Sequence, residues 1–305
     1  MLFIKSLLFE RHLSYLQAAL WSTFGYFMFS LSDSFGKWLM SEGFTKSFIL
    51  VANSIPALVI FTILAVKRHG FKRAYHTRYP QLHLLRCVAL IAITFFIFEA
   101  LKLLPLTEFY GLSFSVPFIV TLGALIFFKE RVDIKEWAAI IVGFGGVIVI
   151  INPEYSTFNM GHIYAICGVL CIAGATLIVR KIGRDEDPYL YVIFGNIGII
   201  LANLIPAFNS ALPDIITAEH IIAFTVYSFT IPTAIFVMST VFARAPTISA
   251  VAPYQYLQII WGTIIGFLVF SEIPKINVVL GSIVVIACGL FILNHHAQQR
   301  KIKPK

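Results

Sequence analysis

Within the first long apolar run of the chain, Tyr26, Ser30, Asp33 and Lys37 recur at intervals of four, three and four, the spacing that puts side chains on one face of a helix. An ionisable group in a hydrocarbon-length run is costly unless it meets a cavity or a partner. Asp33 could therefore bind a proton, a cation or a substrate amine, with Lys37 as a gate partner; the competing reading is an Asp33–Lys37 pair that only holds structure. Glu99 and Lys102, three apart, offer proton exchange or a snorkelling rim pair. Arg86 offers an anion contact or marks orientation. A neutral constellation follows much later: Pro253, Tyr254, Gln255, Tyr256 and Gln258. Helical spacing sets Tyr254 and Gln258 on one face with Gln255 beside them, and Tyr256 away from them. A phenol and two carboxamides cannot stay unpaired in lipid, so they bond and stack on a substrate or tie helices together. Gly111, Ser113, Ser115 and Pro117 form a small polar stretch suited to the facing wall. Pro56, Pro117, Pro232 and Pro253 are hinge candidates.

The elements that must hold these groups follow from composition. Of 305 residues 59% are hydrophobic and 12% charged, and the mean hydropathy is +0.87. At about 20 residues per membrane span, the apolar runs give ten spans: Tyr15–Met40, Phe48–Val66, Leu82–Leu103, Thr107–Phe128, Trp137–Ile151, Gly161–Val179, Tyr189–Phe208, Ile221–Ala243, Thr247–Phe270 and Ile276–Asn294. The expected fold class is all-α integral membrane, with no room for a soluble catalytic domain. The charge of +8 lies between apolar runs, as orientation signals do, and not on a face for nucleic acid. With a cytoplasmic N-terminus, Lys37, Lys46, Lys102 and Lys275 fall outside and the other 19 of 23 basic residues inside. Both termini are then cytoplasmic, as cytoplasmic loops accumulate Lys and Arg. The first residues lack a cleavage site, so no removed signal peptide is expected.

Sliding the second half back by about 142 residues superposes Thr121 on Thr263, Phe128 on Phe270, Glu130 on Glu272 and Asn152 on Asn294; one more residue pairs Asn53 with Asn196. Each half then holds five spans, an odd number, so the second copy is inverted. The units are 1–152 and 153–305, the latter with a basic tail. Inverted repeats with a site between them are a transporter architecture. Small residues, Ala139, Gly143 and Gly146 on the fifth span and Gly281 and Gly289 on the tenth, are spaced for close helix packing. Cys87, Cys167, Cys171 and Cys288 all lie in apolar runs and read as packing residues. The eight histidines sit in loops, tails or near span ends, and no metal site, phosphate loop or nucleophile elbow is found.

The strings FEALKLLPLTEFYGLSFSVPFIVTLGALIFFKERV (Phe98–Val132), GHIYAICGVLCIAGATLIVRKIGR (Gly161–Arg184) and ARAPTISAVAPYQYLQIIWGTIIGFLVFSEIP (Ala243–Pro274) resemble the ten-helix, EamA-type branch of the drug/metabolite transporter superfamily. The resemblance covers the chain and implies a secondary transporter of the cell inner membrane, without cofactor, moving a small polar or amphipathic metabolite by alternating access. Amino acids and nucleoside-like or vitamin-like compounds such as S-adenosylmethionine are the substrates it implies. A proton or an exchanged metabolite would drive it, with Asp33 or Glu99 as coupling residue. Substrate would touch Tyr26, Ser30, Asp33, Glu99, Ser113, Tyr254, Gln255 and Gln258. Two departures stand out: Asn53 where many relatives carry Arg, and Glu99 where a small or aromatic residue is usual. The rival classes are a channel or a signalling membrane protein, which would need a pore-ring motif or a soluble output segment, and an intramembrane enzyme.

Overall fold

The structure, a computed structural model, describes residues 12–71, 74–103, 112–113, 115–129, 133–151, 159–210, 212–213, 215–248, 251–270 and most of 276–291. Regular structure among them is helical. The helices are α1 (Tyr15–Ser41), α2 (Lys46–His69), α3 (Pro80–Leu103), α4 (Val116–Phe128), α5 (Ile134–Ile151), α6 (Met160–Ile182), α7 (Pro188–Phe208) and α8 (Ala218–Arg244). A 3₁₀ segment (Ala252–Tyr256) then leads into α9 (Leu257–Phe270), and a short apolar helix α10 (Val279–Cys288) follows. Among the described residues α2, α3, α6, α7 and α8 are long and apolar enough to cross a membrane. Leu201, Ile205, Phe208, Phe127 and Leu268 stand largely exposed on the outside of the bundle, an apolar surface that only lipid would tolerate.

Local chemistry sets the helix starts. Ser14 caps α1 through a box in which its Oγ accepts from Gln17 N and its own N–H donates to the Gln17 side chain. Asn159 with His162 and Thr217 with His220 repeat this device at α6 and α8, histidine standing where Glu or Gln usually does. Asp187 caps α7, and Pro188 sits in its first turn, where a missing N–H costs nothing. Gly70 and Gly183 end α2 and α6 at φ of 76° and 86°, a region open chiefly to glycine.

In the fourth run Leu112 and Ser113 are helical and α4 follows from Val116 with Pro117 in its first turn; the expected start at Thr107, and Gly111, lie outside the described residues. One span starts differently from expectation. The ninth run opens as a 3₁₀ segment, not an α-helix. The N–H groups of Val251 and Ala252 both reach Ile248 O at 2.9 Å, and Tyr254 N donates three residues back to Val251 O. Pro117 lies in the first turn of α4 and Pro253 in the 3₁₀ segment ahead of α9, whereas Pro56 and Pro232 lie inside α2 and α8.

The most extensive packing pairs are α3 with α6, α2 with α7 and α1 with α8; α1 with α9, α4 with α6, α3 with α7 and α2 with α8 follow. Glycine permits the closest approaches. A Cβ on Gly195 or Gly198 of α7 would come within 3.0 Å of Leu90 Cδ1 or 3.1 Å of Cys87 Cβ on α3. Gly146 of α5 brings its backbone against Gly281 O, 3.1 Å from an added Cβ, which is the small-residue contact expected of the fifth and tenth spans; Gly289 lies outside the described residues. Cys288 is buried, while Cys87, Cys167 and Cys171 are half-buried, and all four are free thiols.

Candidate substrate site

Helix α1 carries its polar face into the bundle only part of the way. Tyr26 and Ser30 are buried, as is Ser22 one turn earlier, whereas Asp33 and Lys37 are exposed. The face expected to look inward along its whole length therefore leaves the interior beyond Ser30. At that depth α1 crosses α9: Ser30 Oγ donates to the backbone carbonyl of Gln258 at 3.3 Å, and Phe27 meets Trp261 edge-on at 5.1 Å. Tyr26 and Tyr254 belong to one buried cluster with Val116 and Val120 of α4, Val169 of α6 and Val237 of α8. Gln255 and Gln258 are half-buried beside it. Tyr256 does point away from this group, its ring lying 3.3 Å from where a Cβ on Gly143 of α5 would stand.

Several hydroxyls at this centre have no hydrogen-bond partner among the described residues. They are Ser22 Oγ on α1, Thr121 Oγ1 on α4 and Tyr254 Oη in the 3₁₀ segment, all in buried residues. Sequence reading singled out Tyr254 but not Ser22 or Thr121 as site residues. The only local signal for Ser22 is its place one turn before Tyr26 on the same face. Unbonded buried polar groups are uncommon, and these three lie on α1, on α4 and in the 3₁₀ segment that packs against both helices.

Glu99 and Ser113 stand apart from that centre. Glu99 is half-buried on α3 beside Ala100, which packs with Ala165, Ile97, Leu112 and Tyr164 at the α3–α6 seam. Ser113, next to Leu112, is buried with its Oγ unbonded among the described residues. The structure thus brings together Tyr26, Ser30, Tyr254 and Gln258, and places Glu99 and Ser113 at a second location. An apolar cleft of about 260 Å³ lies elsewhere, on the flank of α1 formed by Leu31, Phe35 and Trp38 against Ile222 and Ala223 of α8 and Ile265 of α9. None of the candidate residues lines it.

Arg86 is buried, and its guanidinium donates to Tyr191 O at 2.7 Å and to Ser239 Oγ at 3.4 Å, so it ties α3 to α7 and α8. The same end holds further cross-links. Arg180 of α6 donates to Ala245 O at 2.8 Å and to Pro246 O at 3.3 Å beyond the end of α8, and Leu13 N reaches Arg244 O. Thr77 donates to Glu186, which faces His83, and His69 pairs with Asp187. At the other end His220 faces Glu42, and Lys46 donates to Thr94 O at 2.8 Å. Among the described residues no group of three or more His, Cys, Asp or Glu could hold a metal ion.

An all-helical bundle with an apolar exterior and a polar centre defines a multi-pass membrane protein. Residues 16–152 are similar to the EamA-like transporter family, whose model they match. The chain is similar to the S-adenosylmethionine uptake transporter of Rickettsia bellii (strain RML369-C), 24% identical over 88% of this chain and 92% of the relative. It is similar to the riboflavin transporter of Vibrio cholerae, 25% identical over 91% and 93%, and to a pseudopaline exporter of Pseudomonas aeruginosa, 24% identical over 63% and 67%. A solved crystal structure superposes with a TM-score of 0.74 at 16% identity, covering 91% of this chain and 96% of its own; this likeness speaks for the fold alone.

Proposed function

We propose that the chain is a secondary transporter of a small polar or amphipathic metabolite, working by alternating access in the inner membrane with both termini in the cytoplasm. The observation that carries this reading is the set of unbonded buried hydroxyls, Ser22, Thr121 and Tyr254, around the α1–α9 crossing. The relatives named for transport of S-adenosylmethionine and riboflavin suggest a substrate with a flat heteroaromatic part, which Tyr26 and Tyr254 could stack, and a polar chain for Gln255, Gln258 and the hydroxyls.

The architecture we infer is ten spans in two inverted halves, 1–152 and 153–305. Exchanging α1–α5 with α6–α10 turns the α1–α8 contact into α6–α3, α1–α9 into α6–α4 and α2–α8 into α7–α3, each an observed packing pair. The α2–α7 contact maps onto itself. Asp33 and Glu99 are the acidic residues we assign to coupling, to a proton or an exchanged metabolite.

The test is a thermal-unfolding screen of the purified chain against S-adenosylmethionine, riboflavin and the amino acids. A ligand bound only by the folded protein raises its melting temperature by mass action. A concentration-dependent rise with one class, lost in Gln255→Leu, supports the reading; no response to any of them refutes this substrate class.

A further inference from the structure

Two histidine–glutamate pairs occupy matching places at the two ends of α8. His83, in the first turn of α3, faces Glu186 in the loop after α6, with Nε2 3.6 Å from Oε2. His220, in the first turn of α8, faces Glu42 just past α1 at 3.4 Å. Exchange of the two halves carries α3 to α8 and the exit of α6 to the exit of α1, so each pair is the other's counterpart, and each joins one half of the chain to the other. Each ring is also walled by aromatics, His83 by Tyr191 and Phe194 at 5.4 and 4.8 Å, His220 by Trp38 and Phe44 at 5.4 and 5.2 Å.

Their hydrogen bonding differs. Nδ1 of His220 accepts the N–H of Thr217 at 3.0 Å and so carries no proton, which leaves Nε2–H to face Glu42; adding a proton would break the cap of α8. Neither ring nitrogen of His83 has a hydrogen-bond partner among the described residues, so this ring can take a second proton without breaking any bond. Glu186 accepts from Thr77 Oγ1 at 2.6 Å and from Asp187 N at 3.4 Å, contacts that favour its charged form. The His83 and Glu186 side chains are 3% and 6% exposed, whereas Glu42 is 42% exposed. Both members of the first pair are buried, whereas in the second His220 is buried and Glu42 exposed.

We propose that His83 and Glu186 form a proton-binding latch, shut while His83 is protonated and released when that proton passes to water, whereas His220–Glu42 is a clasp that works without a proton. This rests on the alternating-access reading above. A protonated imidazole beside a carboxylate in a water-poor setting is an ion pair; without the proton the attraction is lost and two buried polar groups face each other unbonded. The charged and titratable neighbours are Arg86 and Cys87 on α3, Tyr191 on α7, Tyr79 in the preceding loop, Asp187 with its partner His69, and Arg68 and Arg244 at the ends of α2 and α8. Arg86 and Arg244 oppose a further positive charge, while Glu186 and Asp187 favour it. Burial pushes the Glu186 carboxyl up, but contact with His83 and Thr77, the His83 charge and the Asp187 N–H together bring it below its ordinary value, which favours the carboxylate that the latch needs.

Cys87, one turn beyond His83 on α3 and half-buried with Sγ 3.0 Å from Phe194 O, reports on the latch. The full chain in nanodiscs, with Cys167, Cys171 and Cys288 changed to Ser, is labelled with a maleimide between pH 6 and pH 8. Rates are corrected for thiol ionisation with the same chain unfolded in detergent. The corrected rate should rise with pH, by no more than about tenfold per unit, the limit for one proton. It should be flat in both His83→Gln and Glu186→Gln, and keep the parent's profile in His220→Gln. A flat parent profile, or a parental profile in His83→Gln, overturns the latch. If His83→Gln does not fold, the parent's slope and Glu186→Gln decide by the same criteria. No substrate is used, so a flat profile beside a positive ligand screen discards the latch alone, and a rising profile beside a silent screen discards the substrate class alone.

Discussion

An unbonded buried hydroxyl costs roughly 1–3 kcal/mol of desolvation, and Tyr254 carries one. Tyr254→Phe removes that cost with the group, so the variant should melt no lower than the parent, while the rise in melting temperature on adding a ligand found in the screen should shrink. A lower melting point with an unchanged ligand response would assign Tyr254 to structure. Arg86 presents the opposite case. Its two side-chain bonds are to protein, and bonds to charged donors are worth about 1.5–3 kcal/mol each, so Arg86→Ala should lower unfolding free energy by roughly 2–4 kcal/mol in a chemical-denaturation series. Tyr254, Gln255 and Gln258 were legible in the sequence because polar groups in an apolar run announce themselves. The Arg86 clamp and the His83–Glu186 pair were not, because each depends on residues far along the chain. His83 alone reads as a histidine near a span end.

Helices α2, α3, α6, α7 and α8 follow their apolar runs to within a few residues, since hydrocarbon penalises any polar break. The start of α9 was less legible, because a proline in an apolar run is compatible with a bent helix interior as well as with a helix start. The close crossings allow a graded test. An alanine Cβ at Gly198 would meet Cys87 Cβ at 3.1 Å, next to backbone, whereas at Gly25 it would meet the flexible end of Met238 at 2.6 Å. Overpacking costs typically about 1–3 kcal/mol where neighbours cannot yield. Gly198→Ala should therefore destabilise the chain measurably and Gly25→Ala much less, despite the shorter distance, when the two are compared by thermal unfolding. Equal effects would mean that α1 and α8 are held as rigidly as α3 and α7.

Two expectations concern the molecule entire. With the Glu186 carboxyl held below its ordinary range, the charged form stabilises the fold. That contribution is whole above about pH 4.3, the usual glutamate value, and fades as pH falls below it. The parent's melting temperature should drop on acidification through this window, and Glu186→Gln should drop less steeply; parallel curves would remove Glu186 from the account. Orientation is checked by cysteines placed at His76 and Thr157 in a background without native cysteines. An impermeant reagent applied to intact cells should reach Thr157 and not His76. The broken start of α9 bears on how the chain is made. Val251, Ala252, Tyr254 and Tyr256 are buried in a 3₁₀ segment flanked by α1, α4 and α5, and backbone without a full helical ladder is unwelcome in bare lipid. Those three helices are synthesised in the first half, so the second half made alone should leave this segment poorly inserted, and supplying the first half as a separate chain should rescue it. Biogenesis of the last spans would then wait on a docking surface made well before them.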